Sequence, residues 1–238
     1  MRYWLDEEEG VVKPEIFAKN LNANFALITF SSGFYDCFAD FAEGEAPQFP
    51  GAISGIRIKE AVVYKSYFGA PAAGMLIECL IASSTKNIIM LGEAGSISPA
   101  IRIGDVFIPT WGVREEGTSF HYLPPDITPK PSEVLTQQLL DCLADFNPKI
   151  GGIWSTDAPF KETLRKVKKY SEYGVKAVDM ETTALMSIAM HRGINFAAVL
   201  LITDELWSGK WVEEFLGENI KVMREKITKK IMEKFVYV

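Results

Sequence analysis

The sequence lacks long apolar runs and contains few cysteines, and both absences exclude classes of protein. No apolar run approaches the ~20 residues that a membrane-spanning helix requires, and the segment MRYWLDEEEG at residues 1–10 lacks the features of a signal peptide. The three cysteines, Cys37, Cys79 and Cys142, have no CxxC spacing, which indicates neither a disulfide framework nor a zinc site. We therefore expect a cytoplasmic protein with buried thiols, no membrane contact and no metal site.

A concentrated basic face is also absent. The 25 lysines and arginines are mostly scattered and are outnumbered by 31 acidic residues, giving a formal net charge of -6. Nucleic-acid binding needs a basic face, so we expect no nucleic-acid partner. No linker rich in Gly, Ser or Pro divides the 238 residues, and one domain over residues 1–238 is predicted.

Short apolar runs alternate with helical patterns along the chain. The runs cover 25–30, 61–68, 87–92, 105–110, 150–155, 175–180 and 196–203; the helical patterns cover 72–84, 131–146, 161–173 and 181–193, with a final helix from about Trp211 to Phe235. This alternation predicts an α/β fold with a largely parallel sheet. Ligands bind such sheets beyond the carboxyl ends of the strands, so the segments after the runs are the candidates for a site.

Two of these segments contain small or flat side chains directly after a predicted strand. In GEAGSIS, after the run at 87–92, Ala94 and Gly95 allow a ligand to approach the backbone, although an ordinary glycine turn has the same pattern. In STDAPF, Phe160 is suited either to the core or to the wall of a pocket for a flat base. Asp157 in the same segment is suited to capping the helix that follows.

Two other segments carry carboxyl groups. VDMETTAL places Asp179 and Glu181 where a strand becomes a helix, which suits either a helix terminus or an acceptor for the two hydroxyls of a ribose. The run at 196–203 leads directly into Asp204. A carboxyl group at the mouth of an apolar pocket has a raised pKa and suits a general acid, whereas an ordinary helix cap is the alternative.

In this order, the segments resemble the nucleoside phosphorylase and uridine phosphorylase family, which includes the methylthioadenosine and adenosylhomocysteine nucleosidases. The resemblance runs from Phe25 to Asp204 and includes FGAPAAG, RIGDVFIP, EEGTSFHYLPP, STDAPF, VDMETTAL and ITDE. It implies an α/β fold in one domain, with a mixed, partly barrel-like central sheet flanked by helices. It also implies a homo-oligomer, a dimer or a hexamer, in which the loop with His121 and Tyr122 is an interface or lid element.

The resemblance implies roles for individual residues in cleaving a nucleoside. Glu181 matches the acceptor for the ribose hydroxyls, and Met180 matches a residue that packs against the sugar. Asp204 matches the acid that meets a purine ring nitrogen as the base leaves. The base pocket would be lined by Ala94, Gly95, Phe160 and Val178. No cofactor is implied, and inorganic phosphate is a possible co-substrate.

The departures from the family pattern concern phosphate. Phosphorylases of the family hold it with an early GDPxR-like loop, an arginine before the central glycine segment and a serine or threonine inside that segment. Here the early loop FSSGFYDCF, with Ser31, Ser32 and Gly33, has no arginine, and the other two positions are Met90 and Glu93. A carboxylate in this place repels phosphate.

We therefore predict hydrolysis of a nucleoside, most consistent with a purine nucleoside, with Asp204 as the acid and Glu93 as the base that activates water. The alternative is a phosphate-dependent purine or uridine phosphorylase whose phosphate contacts come from Ser31, Ser32, Arg57, Arg114, backbone amides or a neighbouring subunit. A third hypothesis, from another class, is a catalytically silent sensor that binds a nucleoside.

Overall fold

A computed structural model describes Asp6, Glu8 and residues 10–237. Most of the segment on which the signal-peptide prediction depends lies outside these residues. Ten strands form one sheet: β1 (Phe25–Thr29), β2 (Gly44–Glu45), β3 (Ala52–Ile58), β4 (Ala61–Ser66), β5 (Asn87–Ser96), β6 (Val106–Glu115), β7 (Lys149–Thr156), β8 (Val175–Asp179), β9 (Asn195–Glu205) and β10 (Val212–Glu213). Six α-helices pack around it: α1 (Ser32–Ala39), α2 (Ala70–Ala82), α3 (Glu133–Cys142), α4 (Leu164–Glu172), α5 (Thr182–Arg192) and α6 (Glu218–Phe235).

The sheet closes on itself through β5. The strand order is β10-β9-β6-β7-β8-β5-β1-β4-β3-β2, and β5 pairs with β9 as well as with β8 and β1. The strands β5, β9, β6, β7 and β8 therefore form a closed barrel, with β1 to β4 as an extension. Parallel and antiparallel pairs occur together. The predicted α/β fold with a mixed, partly barrel-like sheet is confirmed.

The apolar runs of β5 and β9 follow from burial of both faces of the sheet. Alternate residues of each strand enter two separate core clusters. One cluster contains Ile88, Met90, Ala198, Leu200 and Ile202, and the other contains Ile89, Leu91, Ala197, Val199 and Leu201. No helix in the described part of the chain is long and apolar enough to cross a membrane.

Most predicted elements are found close to their predicted bounds, but the end of the chain differs. The final helix begins at Glu218 after Gly217, not at Trp211. Val212 and Glu213 instead pair with Glu205 and Asp204 of β9 as the short edge strand β10. Gly209, with a φ of 81°, and Gly217 interrupt the helical pattern, which explains the difference.

Helix α1 and strands β2 and β3 are not among the predicted elements, and α1 positions the site. Helix α1 contains glycine and three aromatic residues, which are modest helix formers. Its N-terminus is capped by Ser31, whose hydroxyl accepts a hydrogen bond from the Phe34 amide at 3.3 Å, and Phe34 and Phe38 are buried. Capping and packing thus stabilise the helix. Strand β3, also not predicted, pairs with β4.

Candidate active site

A cavity of about 610 Å³ opens at the carboxyl ends of β1, β5, β8 and β9. Its lining combines apolar side chains with carboxyl groups and consists of Phe30, Phe68, Met90, Gly92, Glu93, Ala94, Gly95, Pro159, Phe160, Glu162, Val178, Asp179, Met180, Glu181, Thr203, Asp204, Leu206, Trp211 and Phe215. Every predicted catalytic or substrate-binding residue is among them. Of the predicted phosphate or water pocket, Met90 lines the cavity.

The predicted glycine turn is wrong, because residues 92–96 continue strand β5. On one edge, β5 pairs with β1 through Leu91 and with β8 from Gly95 onwards. Between these pairings, the edge at residues 92–94 has no strand partner, and this gap lies at the cavity. Glu93 is in the middle of the gap. Gly92, Ala94 and Gly95 therefore lie in a strand whose edge changes partner and not in a turn.

A bulge between β5 and β9 brings Asp204 to Gly95. Ala94 pairs with Ile202, but Gly95 pairs with Asp204, so Thr203 is the extra residue. A side chain at position 95 would not fit, because an added Cβ would lie 2.8 Å from Asp204 Oδ2. The interpretation of Asp204 as a helix cap is wrong, since the residue belongs to β9.

The Asp204 carboxyl group is buried and receives a hydrogen bond from the loop after β9. Trp211 Nε1 donates to Asp204 Oδ2 at 2.9 Å. Burial raises the pKa of Asp204, the bonds from Trp211 and Thr203 oppose this rise, and the negative charge of Glu93 adds to it. A raised pKa gives Asp204 the property that a general acid requires.

Glu93 forms an ion pair that the sequence did not suggest. Arg224 of α6 donates from Nε to Glu93 Oε1 at 2.7 Å, and Ser31 Oγ donates to the same oxygen at 2.5 Å. The two side chains of the ion pair are only 11% and 18% exposed. No described residue donates to Glu93 Oε2, so this oxygen is available to a ligand or to water.

The other residues of the early loop have different surroundings. Gly33 lies against the Arg224 side chain, where an added Cβ would come within 2.7 Å of it. The absence of a side chain at Gly33 therefore leaves room for the Arg224 side chain to reach Glu93. The hydroxyl of Ser32 accepts a hydrogen bond from Lys65 Nζ at 2.7 Å and does not line the cavity.

Asp179 and Glu181 have different surroundings although they are two residues apart. Asp179 Oδ2 accepts a hydrogen bond from the Thr182 amide at 3.0 Å, and Ser155 Oγ donates to Oδ1 at 2.5 Å. Asp179 thus stabilises the start of α5. Glu181 Oε1 accepts from the Gly69 amide at 2.7 Å instead. Burial raises the pKa of Glu181, and the charge of Asp179 raises it further.

The flat wall of the cavity is open on one side. Phe160 lines the cavity, yet its side chain is fully exposed at 101%. The interpretation of Phe160 as a core residue is therefore wrong. Phe68, at 75% exposure, lies at the same mouth. Ala94 and Val178 form buried parts of the lining, and Met180 is half-buried.

The two arginines suggested as phosphate contacts bind backbone carbonyls outside the cavity. Arg57 donates to the Leu21 carbonyl at 2.6 Å, and Arg114 donates to the carbonyls of Leu123, Pro124 and Ile127. Neither arginine lines the cavity, so both are wrong as displaced phosphate contacts.

The loop residues named in the sequence analysis are also held by local contacts. Asp157 accepts a hydrogen bond from the Gly117 amide at 2.8 Å, whereas Thr163 caps α4, so the capping role of Asp157 is wrong. Arg114 fixes the loop that follows Tyr122, and the Tyr122 ring packs edge-on against His191 with centroids 5.6 Å apart. These contacts hold the loop against α5, and its role as an interface or lid element stays a prediction.

The cavity residues that the sequence did not indicate include Glu162, Trp211 and Phe215. Trp211 was placed in the final helix, and Glu162 was part of a charged helical pattern. Arg224 was missed as well, because it is 131 positions from Glu93. The available signal was its spacing, because Arg224 lies four residues after Ile220 and three before Ile227, on the apolar face of the helical pattern.

The charge of the cavity lining has one sign. Five carboxyl groups line it, those of Glu93, Glu162, Asp179, Glu181 and Asp204, and no lysine or arginine is among the described lining residues. Arg224 contacts the lining from behind, through its hydrogen bonds to Glu93 Oε1 and to the Phe215 carbonyl. Such a lining favours ligands with N–H donors or developing positive charge. No group of three or more potential metal-binding side chains occurs among the residues that the structure describes.

The buried ion pair yields a stability prediction. Arg224→Met should lower the free energy of unfolding by about 3 kcal/mol, because it leaves the Glu93 carboxylate buried without its cation. Adding Glu93→Gln to this variant should recover part of the loss. Lys230→Met, which breaks the exposed pair with Asp145, is the control and should change stability by less than about 1 kcal/mol. Urea denaturation measures all three. Equal losses for Arg224→Met and Lys230→Met would contradict the prediction.

Comparisons with known proteins agree with the resemblance. The family model described as "Phosphorylase superfamily" matches residues 25–236. Purine nucleoside phosphorylases of the DeoD type from Bacillus cereus and Bacillus thuringiensis are each 29% identical over 166 residues, covering 68% of this chain and 69% of theirs.

Solved structures show the same fold. The purine nucleoside phosphorylase of Toxoplasma gondii in complex with immucillin-H has a TM-score of 0.77 at 19% identity, covering 95% of this chain and 96% of its own. A uridine phosphorylase from Vibrio fischeri also has a TM-score of 0.77, at 17% identity, covering 96% and 99%. The predicted family and enzyme class are confirmed, since the homologues and the structural neighbours are nucleoside phosphorylases. The chain belongs to the phosphorylase superfamily.

Proposed function

We propose that the protein hydrolyses the N-glycosidic bond of a purine nucleoside. The observation that carries this proposal is the acidic cavity, with five carboxyl groups and no cationic side chain in its described lining. Cleavage builds positive charge on the ribose, which the carboxylates stabilise. A phosphate dianion would enter the same space against the repulsion of those carboxyl groups that are ionised, such as Glu93 in its ion pair with Arg224. The curated relatives are named phosphorylases, so phosphorolysis is the alternative reaction.

Glu93 and Asp204 are suitably placed for the two proton transfers. Asp204 of β9 pairs with Gly95, which lies two residues after Glu93 in β5. Glu93 and Asp204 are therefore offset by roughly 7 Å along the strand direction. Glu93 Oε2 takes a proton from water, the water oxygen bonds to the anomeric carbon, and the bond to the base breaks. Asp204 gives its proton to a ring nitrogen of the departing base, and solvent restores the starting protonation states. The reaction needs no cofactor.

Arg224 and Ser31 orient the proposed base. Both donate to Oε1 of Glu93, which fixes the carboxylate and leaves Oε2 directed to the reacting water. A base held in this way loses little freedom when the substrate binds, and positioning is a large part of catalysis. In a phosphorylase, the same arginine would have to leave Glu93 and contact phosphate.

Glu181 is the proposed acceptor for the ribose hydroxyls, and Met180 lies beside it in the lining. The Gly69 amide holds one oxygen of Glu181. Ala94, Gly95, Phe160 and Val178 surround the proposed place of the base. A catalytically silent sensor would need the same binding residues, so detection of released base separates an enzyme from a sensor.

A homo-oligomer, a dimer or a hexamer, is also proposed. Phe68 and Phe160 are exposed by 75% and 101% at the mouth of the cavity, and exposed apolar groups at such a place are typical of a protein interface. Light scattering should therefore report a multiple of the chain mass of 26.6 kDa. A monomeric mass at assay concentration would contradict this proposal.

Substitution of Glu181 tests the sugar site. At a pH above the raised pKa of Glu181, about 8, Glu181→Gln should lower kcat/KM at least tenfold, because hydrogen bonds to a charged acceptor contribute about 1.5–3 kcal/mol each. The loss should be smaller with a 2′-deoxynucleoside, which lacks one of the hydroxyls. Steady-state kinetics with the paired substrates measures both effects. An equal loss for the two substrates would show that Glu181 does not contact the 2′-hydroxyl.

Substitution of Glu93 separates hydrolysis from phosphorolysis. If the enzyme is hydrolytic, Glu93→Gln should lower base release at least a hundredfold, because an amide cannot accept the proton of water and general bases contribute ~10²–10⁴-fold. Glu93→Asp, which keeps a carboxylate, is the matched control and should retain more activity. Phosphate should not accelerate the wild type, and ribose should be the sugar product.

The alternative reaction predicts the opposite sign for the same variant. Glu93→Gln releases Arg224 from its partner and removes a negative charge, so a phosphorylase should bind phosphate more tightly after the substitution. Product analysis with and without phosphate distinguishes the reactions. Ribose 1-phosphate formed by the wild type, together with a phosphate-dependent gain in Glu93→Gln, would overturn the hydrolytic proposal.

A further inference from the structure

Glu162 is a cavity carboxyl group to which the proposed mechanism gives no role. It follows the 3-10 turn Pro159–Lys161 and lines the same cavity as Asp204. Its side chain is partly buried, whereas its neighbours Lys161, Thr163 and Leu164 are exposed. The Glu162 side chain is therefore directed into the cavity instead of into solvent.

The backbone around Glu162 is fixed on both sides. The Glu162 amide donates to the Pro159 carbonyl at 3.2 Å, and the Thr163 amide donates to the Lys161 carbonyl at 2.8 Å. Thr163 then caps α4 through a hydrogen bond from the Lys166 amide. These contacts hold position 162 against the cavity without using its carboxyl group.

The carboxyl group itself has no hydrogen-bond partner among the described residues. Lys166, whose positive charge lowers the pKa of Glu162, forms an ion pair with Glu115 instead, with Nζ and Oε2 2.8 Å apart. Burial and the charges of Asp204 and Asp179 raise the pKa of Glu162 to about 7. A partly buried carboxyl group without a partner, inside a cavity, is suited to contact a ligand.

We propose that Glu162 recognises the edge of the base next to Asp204 and thereby selects nucleosides of 6-aminopurines over those of 6-oxopurines. This inference rests on the proposed function, in which Asp204 meets a ring nitrogen of the base. A 6-aminopurine presents an exocyclic N–H donor beside the ring nitrogen N7. In the complex, an ionised Glu162 accepts from that amino group, and Asp204 donates to the nitrogen once it has taken up a proton, which the negative charge of the neighbouring Glu162 favours.

A 6-oxopurine presents two acceptors at the same edge. An ionised Glu162 would repel the O6 carbonyl oxygen, and only its protonated form has an O–H to donate. A site built to hydrogen-bond one of these edges rejects the other because a polar group is left unpaired. The protonation state of Glu162 therefore determines which of the two bases the cavity prefers.

The first test compares adenosine with inosine. The wild type should show the higher kcat/KM for adenosine at pH 8, and Glu162→Gln should reduce the adenosine-to-inosine ratio at least tenfold, because an amide both donates and accepts. Glu172→Gln, at an exposed position of α4, is the matched control and should leave the ratio unchanged. A ratio that stays within twofold in Glu162→Gln would overturn the proposal.

The second test uses the pH dependence of this ratio, which a purely structural role of Glu162 would not affect. In the wild type, the ratio should rise as pH increases through about 7, because ionisation of Glu162 favours the amino group and disfavours the carbonyl. In Glu162→Gln this rise should disappear. A rise that persists in the variant would assign the dependence to another group and overturn the proposal.

Binding of the free bases separates failure of this inference from failure of the proposed function. Calorimetry with adenine and hypoxanthine needs no turnover, and it should show the same preference and the same loss in Glu162→Gln. If neither nucleoside releases base with or without phosphate, the proposed function fails, and the binding result alone decides on Glu162. Equal binding of the two bases, or no binding of either, would contradict the role of Glu162.

Discussion

The change of partner along one edge of β5 is the constraint on which the cavity depends. A strand has two edges, and β5 must pair with three strands. It uses one edge for β9 along its length and divides the other between β1 and β8. The divergence of β1 and β8 leaves residues 92–94 without a strand partner on that edge, in the manner of a topological switch point. The cavity forms there, because β5 continues while its neighbours β1 and β8 diverge.

This geometry explains which parts of the site the sequence predicted. Glu93, Ala94 and Gly95 follow a buried strand in the sequence, and Asp204 follows another, so their common location is a consequence of chain order in an α/β sheet. The turn predicted at Gly92–Gly95 was wrong, because glycine is equally suited to a strand whose neighbour approaches closely. The approach of Asp204 to Gly95 depends on a bulge at Thr203, and no local sequence signal specifies the register of two strands so far apart.

The residues that could not be predicted are those that reach the cavity from distant or irregular segments. Arg224 contacts Glu93 only because α6 packs beside α1 and because Gly33 leaves room for its side chain. Trp211 belongs to a helical pattern that glycines interrupt, and Glu162 belongs to a charged pattern that elsewhere faces solvent. In each case, tertiary packing decides which face of the segment becomes the inner one.

The hydrogen bond from Trp211 to Asp204 couples the protonation of Asp204 to the position of the loop after β9. Indole N–H is a donor only and prefers an ionised acceptor, so protonation of Asp204 weakens the attachment of the segment from Leu206 to Gly217. By thermodynamic reciprocity, displacement of that segment makes Asp204 easier to protonate. In the proposed mechanism, a base that displaced the indole would therefore favour protonation of Asp204, and transfer of that proton to the base would restore the ionised carboxylate to which Trp211 donates.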